Sequence, residues 1–359
     1  MNFDELIRFA VKQGASDIHL QTGAVPTLRI NGSIRTLESP PLTAEELKAF
    51  ILSLSKRVTE ANFDQVLLEG IDLAYAIPNL CRFRCNVYSH MGTPAVVMRV
   101  IMPKLRTVEE LHLPKVLNDV ALAHRGLVLI TGTTGSGKST TLAAMIDLIN
   151  STYRCKILTI EDPVEYTHEN KKALISQVEV GQDTPSFEHG LRQALRQDPD
   201  VILVGELRDS ETMRMALRAA DTGHQVFATV HSSNASQTIE RILAMVPADE
   251  RKIATAQLAS ALEAVVSQRL AVTKEGGRQP AMEILRGGAV TAKLIMEGKL
   301  SELSDYIGTR ENGMQRFDQH LIDLYNEKVI SGTEAMRLAT SPEAVALGMR
   351  GIKQSAGRA

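Results

Sequence analysis

The chain has 359 residues, a length that accommodates about two domains, each with its own core. It carries 40 basic and 42 acidic residues, a formal net charge of −2, which argues against a protein built to coat nucleic acid or an anionic membrane. Its three cysteines, Cys81, Cys85 and Cys155, lack the second Cys or His pair that structural zinc needs, and an odd, scattered count suits reduced thiols in a cytoplasmic protein.

The amino terminus, Met1 to Arg8, is charged and has no signal-peptide core. No uncharged apolar run reaches about 18 residues, so no spanning helix is expected. Residues 1–101 read as a small α/β domain. Phe3, Leu6, Ile7, Ala10 and Val11 have helical spacing, and Gly14 stops the helix. Short strand-like segments follow at Asp17–Leu20, Thr27–Ile30 and Ile34–Leu37, with Asn31-Gly32 as a hairpin turn. A helix is predicted after Thr43, with Glu46 completing a capping box. Further strands are predicted at Leu73–Ile77, Arg82–Tyr88 and Ala95–Ile101.

Residues 102–107 read as a linker, with Pro103 breaking the preceding strand and marking a hinge, and a helical pattern restarts at Val108. Residues 108–359 then form the larger domain. Strand-like runs at Leu127–Thr131, Ile157–Ile160, Val201–Val204 and Val226–Val230 alternate with helical segments, notably Ser139–Ile149 and Glu211–Ala220. That is the pattern of a parallel sheet covered on both faces. After about residue 240 the chain reads as mostly helical. The tail beyond Glu343, with Arg350, Lys353 and Arg358, reads as a dangling end.

The run Gly132-Thr133-Thr134-Gly135-Ser136-Gly137-Lys138-Ser139 matches G-x-x-x-x-G-K-[ST], between an apolar strand and a helix. Glycines let backbone N–H groups turn inward to hold phosphates, and the helix adds its positive end. Lys138 is expected to reach the β- and γ-phosphates of ATP and Ser139, beside Thr140, to ligate Mg²⁺. Hydrolysis also needs carboxylates, and two apolar strands run into them: Glu161-Asp162-Pro163-Val164-Glu165 and Gly205-Glu206-Leu207-Arg208-Asp209. A further strand ends at His231, placed to sense the γ-phosphate or position water. Arg82 and Arg84 alternate, so both guanidinium groups fall on one strand face. They suit either an anionic ligand, such as a neighbouring subunit's ATP, or a solvated face with ion pairs.

Taken together these blocks resemble the secretion-type (GspE/PilB-like) ATPases that power type IV pili, and within them the retraction motors of the PilT and PilU kinds. The phosphate loop at 132–139 is one block. Ile160 to Tyr166 resembles the family's Asp box, Asp198 to Asp209 its Walker B, and Thr222-Gly223-His224 through His231 its His box. Ser16 to Leu20, Arg29 to Gly32, Val265 to Leu270 and Gly313 to Gln319 match as well. The resemblance implies a PAS-like α+β amino-terminal domain, a RecA-like P-loop domain with a helical carboxyl-terminal part, and a homo-hexamer. It also implies an inner-membrane platform protein as partner and admits a sister PilT-type ATPase as another. In this picture the protein is cytoplasmic, peripheral at the inner-membrane face of the pilus machine, with no nucleic acid bound and no membrane insertion.

Carried over by position, the resemblance gives Lys138 and Ser139 to phosphate and Mg²⁺, and Glu165 and Glu206 to water and metal, with the division between them open. His231 goes to the γ-phosphate, and Arg82 and Arg84 to charge across the subunit boundary. The chain lacks the four-cysteine zinc module of extension and type II secretion motors. It also departs from the Ala-Ile-Arg signature of PilT-type motors, reading Ala289-Val290-Thr291-Ala292-Lys293-Leu294-Ile295, which leaves an accessory, PilU-like role open.

Overall fold

Alternating side chains build the first sheet. The computed structural model describes residues 2–30, 32–78, 80–101 and 105–352. Strands β1 (Ala15–Gln21), β2 (Thr27–Ile30), β3 (Ser33–Thr36), β4 (Ile71–Ile77), β5 (Cys81–His90) and β6 (Thr93–Ile101) pair antiparallel in the order β3-β2-β1-β6-β5-β4. In β5, Cys81, Phe83, Cys85 and Val87 are buried, while Arg82, Arg84 and Asn86 take the other face. The helices Phe3–Lys12, Ala44–Leu54 and Phe63–Glu69 bring Ile7, Leu47, Ile51 and Phe63 to the same core. Thr43 and Glu46 exchange both capping-box bonds, at 3.0 and 3.2 Å, so the middle helix starts where the sequence places it.

The second sheet has seven strands: β7 (Gly126–Thr131), β8 (Lys156–Glu161), β9 (Leu174–Glu179), β10 (Val201–Val204), β11 (Gln225–Val230), β12 (Leu262–Val272) and β13 (Arg278–Arg286). Their order is β13-β12-β7-β11-β10-β8-β9, parallel throughout except for the β12–β13 hairpin. Successive residues of β7 enter different cores. Leu127 and Leu129 pack with the helices Phe187–Ala194, Ser210–Asp221, Ala235–Met245 and Arg251–Ala261. Val128 and Ile130 pack with Leu142, Met145 and Ile149 of the Lys138–Thr152 helix. A strand buried on both faces needs apolar residues at every position, which is why β7, β10 and β11 read as continuous runs.

Some expectations are corrected. The region after residue 240 contributes two strands to the sheet, β12 and β13. Helices on both sides had disguised them, although the β-branched Val265 and Val266 suit a buried strand. The pattern at Val108 forms turns rather than a helix, and the helix begins at Val116, beyond Pro114, which lacks the N–H a continuous helix would require. β9 adds an edge strand that was not anticipated.

The chain divides into two compact units, Met1–Lys104 with Pro163–Thr167, and Leu105–Asp162 with His168–Ala359. Asn31 of the predicted turn, Met102, Pro103 and Lys104 of the predicted linker and hinge, and Lys353 and Arg358 of the tail lie outside the described residues; the part of the tail up to Met349 does not dangle but forms the helix Pro342–Met349, which buries Val345. Among the described residues, no helix is long and apolar enough to cross a membrane.

Candidate nucleotide site

The phosphate loop leaves the carboxyl end of β7 at Gly132. Gly132, Gly135 and Gly137 have φ of 142°, 79° and 91°, a region other residues rarely enter, so the loop's path depends on glycine at these positions. Gly137 is the amino-terminal boundary of the Lys138–Thr152 helix and offers no side-chain cap, leaving the first-turn N–H groups for a ligand. Lys138 Nζ donates to the carbonyl oxygens of Gly132 and Thr133 at 2.9 and 3.1 Å. Its ammonium therefore rests on the loop itself, at the place where phosphate oxygens would replace those carbonyls. Thr133, Thr134, Gly135 and Ser139 are exposed, while Ser136 is buried with its Oγ lacking a hydrogen-bond partner. An open loop, a bare helix terminus and an orphaned hydroxyl together fit a phosphate chain.

The register of the sheet delivers the next groups to the same edge. Thr131 of β7 pairs with Val230 of β11, so His231 emerges beside the loop's origin. Val204 of β10 pairs with Ala228 of β11, and the turn beyond it is sewn to β11 by Leu207 N–H donating to Thr229 O at 3.0 Å. That turn sets Glu206 against His231, whose Nε2 lies 3.2 Å from Glu206 Oε1. Arg208 Nε donates to Glu206 Oε2 at 2.8 Å. The Glu206 carboxylate, 19% exposed, is thus held from both sides at the edge where the loop begins. Such oriented, partly desolvated acid–imidazole pairs position water and stabilise developing charge.

Several residues that looked chemical from the sequence turn out to be structural. Asp209 caps the Ser210–Asp221 helix by accepting from Thr212 N–H at 2.8 Å. Asp200 accepts from Lys156 N–H at 2.7 Å, at the amino-terminal ends of β10 and β8. His224 immediately precedes β11, and its ring lies 2.9 Å from Ala219 O, so the His box runs the length of β11 and His231 is the one of the two at the loop edge. Glu161 ends β8 and accepts from Thr159 Oγ1 at 2.7 Å.

A family model described as type II/IV secretion system protein matches residues 2–299. The chain belongs to that family. It is 43% identical to the type IV pilus retraction ATPase PilT of Pseudomonas aeruginosa, over 96% of this chain and 99% of the relative. It is 38% identical to the type IV pilus ATPase PilU of the same organism, over 95% of this chain and 89% of the relative. Among solved structures it resembles the pilus retraction motor PilT with bound ADP, with TM-score 0.87 and 39% identity over 96% of this chain and 98% of the other.

Three expected residues belong to the other unit. Arg82 and Arg84 lie in the first unit, on the outward face of β5, and the segment Pro163–Thr167 that carries Glu165 groups with the first unit. Arg84 is bonded at 3.3 Å to Asp72 on β4, a pair about half exposed. The register continues the row across the sheet through Arg84, Arg99, Asp17 and Arg29. Asp17 is the anchor of that row: burial opposes its ionisation, but bonds from Arg99 and Ser16 outweigh it and hold the carboxyl below its usual range.

Sequence reasoning missed Gln268. It sits in a block used only for resemblance, yet it is buried at 1% exposure and touches the phosphate loop directly. Its neighbours Ser267 and Arg269 are polar too, so nothing in the run itself singled it out.

Proposed function

We propose that this chain is a Mg²⁺-dependent ATPase that assembles as a homo-hexamer and drives type IV pilus retraction. The observation that carries this is the meeting, at one sheet edge, of the phosphate loop with the Glu206–His231 pair. Near-complete coverage of a retraction ATPase at 43% identity supports the biological setting.

In this reading Gly132 to Thr140 wrap the phosphates of ATP, and Lys138 exchanges its loop carbonyls for phosphate oxygens. Among the described residues no cluster of three His, Cys, Asp or Glu side chains is arranged to hold a metal. The exposed Ser139 hydroxyl would hold Mg²⁺ together with the nucleotide's phosphates, the few-ligand pattern this strongly hydrated ion favours, and the ion would supply charge neutralisation on the phosphates. Glu206 orients the attacking water or the metal's water shell, with Glu165 as the second acid and His231 beside the γ-phosphate. Arg82 and Arg84 act on the nucleotide of a neighbouring subunit. The partner is a platform protein at the inner membrane, where the chain works from the cytoplasmic side.

A second reading, an accessory PilU-like motor, is favoured by one observation. In the helix Ala289–Met296, Thr291 stands where a PilT-type motor has arginine; it is buried, with its hydroxyl donating to Arg286 O at 2.7 Å. This position therefore offers no charge to a partner.

The test is a clean deletion, complemented with wild-type chain or Lys138→Ala, scored for surface pili and twitching. Abundant pili with no twitching supports the main retraction motor. Normal twitching except under mechanical load supports the accessory role. Bald cells would refute both.

A further inference from the structure

We propose that Gln268 is a positioning residue that locks the phosphate loop in its nucleotide-binding shape. The inference rests on the nucleotide reading above and extends it to a residue outside the P-loop motif. β12 is long, and its last residue in register with β7 is Ser267, opposite Thr131, with the two hydroxyls bonded at 2.9 Å. Gln268 therefore projects just past the end of β7, underneath the loop.

Each end of its side-chain amide is committed. Nε2 donates to the Ser136 carbonyl at 2.6 Å, and Oε1 accepts from Thr141 Oγ1 in the first turn of the following helix at 2.9 Å. The Gln268 backbone carbonyl packs against Gly132 so closely that no Cβ fits there, and a Cβ on Gly137 would come within 2.8 Å of Nε2. The entry of the loop, its crest and its exit into the helix thus all bear on one buried residue.

The consequence follows from how such loops bind anions. When successive N–H groups point inward at phosphate, the carbonyls between them must point outward. An outward carbonyl in a buried position needs a donor, and at Ser136 that donor is Gln268. The peptide between Ser136 and Gly137 is otherwise easy to turn over, because Gly137, at φ 91°, tolerates either orientation. Turning it would point the Ser136 carbonyl at the phosphates and take the Gly137 N–H away. Gln268 closes that alternative, and because Thr141 holds its oxygen, its amide cannot rotate to follow the flipped peptide. Without Gln268 the binding-competent loop becomes a fraction of the population, and apparent affinity falls by that fraction.

The experiment measures ADP binding by calorimetry and steady-state ATP hydrolysis on the full-length chain. Gln268→Leu removes both bonds at similar volume, and Gln268→Glu keeps an acceptor for Thr141 while losing the donor. Each is expected to raise the Kd for ADP and the KM for ATP at least tenfold, with kcat changed less than about threefold, because the formed loop is unaltered once occupied. Thr141→Val frees only one end and is expected to raise the Kd severalfold, with no further loss when combined with Gln268→Leu. Leu324→Ala, in the separate carboxyl-terminal cluster, is expected to lower the melting temperature and leave ADP affinity intact.

A folded Gln268→Leu with wild-type ADP affinity overturns the proposal. If that variant does not fold, unchanged affinity in Thr141→Val overturns it instead. Failure of the unmodified chain to bind ADP would remove the nucleotide reading as well, a result distinct from either of these.

Discussion

The two sheets of this protein carry polar residues in different places. In the seven-stranded sheet both faces of β7, β10 and β11 are buried, so nothing chemical can stand on a face, and the reactive groups gather where strands end. In the six-stranded antiparallel sheet the helices Phe3–Lys12, Ala44–Leu54 and Phe63–Glu69 cover one face. The other carries Arg29, Arg82, Arg84 and Arg99, with Asp17 and Asp72 between them. An edge site is built from loops whose backbones can wrap a ligand. A face site is a flat row of long side chains, suited to reaching a partner rather than enclosing a molecule. The phosphate loop belongs to the first kind of arrangement and the arginines to the second.

The most severe way to break this comparison is to disable the edge. Lys138→Ala should lower ATP turnover by about a hundred- to a thousandfold, with the circular dichroism spectrum unchanged. Turnover surviving at a tenth of wild type would place the essential phosphate contact elsewhere. Glu206→Gln should cost about a hundredfold in kcat while ADP still binds, since it removes charge from the acid and leaves the loop alone. A matching loss of ADP affinity would mean that Glu206 supports the loop instead.

Acid should separate the two units. Burial pushes His320 and His168, both in the second unit, from 6.5 down to about 4. His320 Nδ1 also accepts the Met282 N–H at 2.9 Å, which only the neutral ring can do. Between pH 6.5 and 4 the unfolded chain therefore holds protons that the folded second unit does not. The second unit keeps its full stability above pH 6.5 and loses it as the pH falls towards 4, by up to about 3 kcal/mol per histidine. The first unit's anchor, Asp17, has a folded pKa below 3.8, so its contribution is lost only at still lower pH. Hydrogen exchange across this range should show the second unit opening first, and His320→Asn should flatten its acid limb. Simultaneous opening of both units would count against this account.

The smallest effect belongs to the face. Arg84→Ala breaks a half-exposed pair with Asp72 and should cost less than about 1 kcal/mol of stability. ADP affinity should remain unchanged while turnover falls in the assembled protein. A drop in affinity measured on isolated chains would move Arg84 from the partner's nucleotide to its own.

Much of the edge site was legible in the sequence because the signals are local. Glycines at 132, 135 and 137 specify a positive-φ loop, the apolar run before them a buried strand, and the lysine after them the first turn of a helix. The alternation around Arg82 and Arg84 likewise announced a half-buried strand. Strand neighbours were not legible, because parallel strands meet only through long crossovers whose order depends on burying both faces at once. Register alone brought His231 to Glu206 and sent His224 to the far end of the same strand. Gln268 shows the limit most sharply. In the sequence it is one of three consecutive polar residues, Ser267, Gln268 and Arg269; its meaning comes from Ser136, 132 positions away, whose carbonyl must be satisfied because folding has removed it from water. Local chemistry specified a loop that can hold phosphate, and tertiary packing decided which side chains bond to that loop and which acid meets His231.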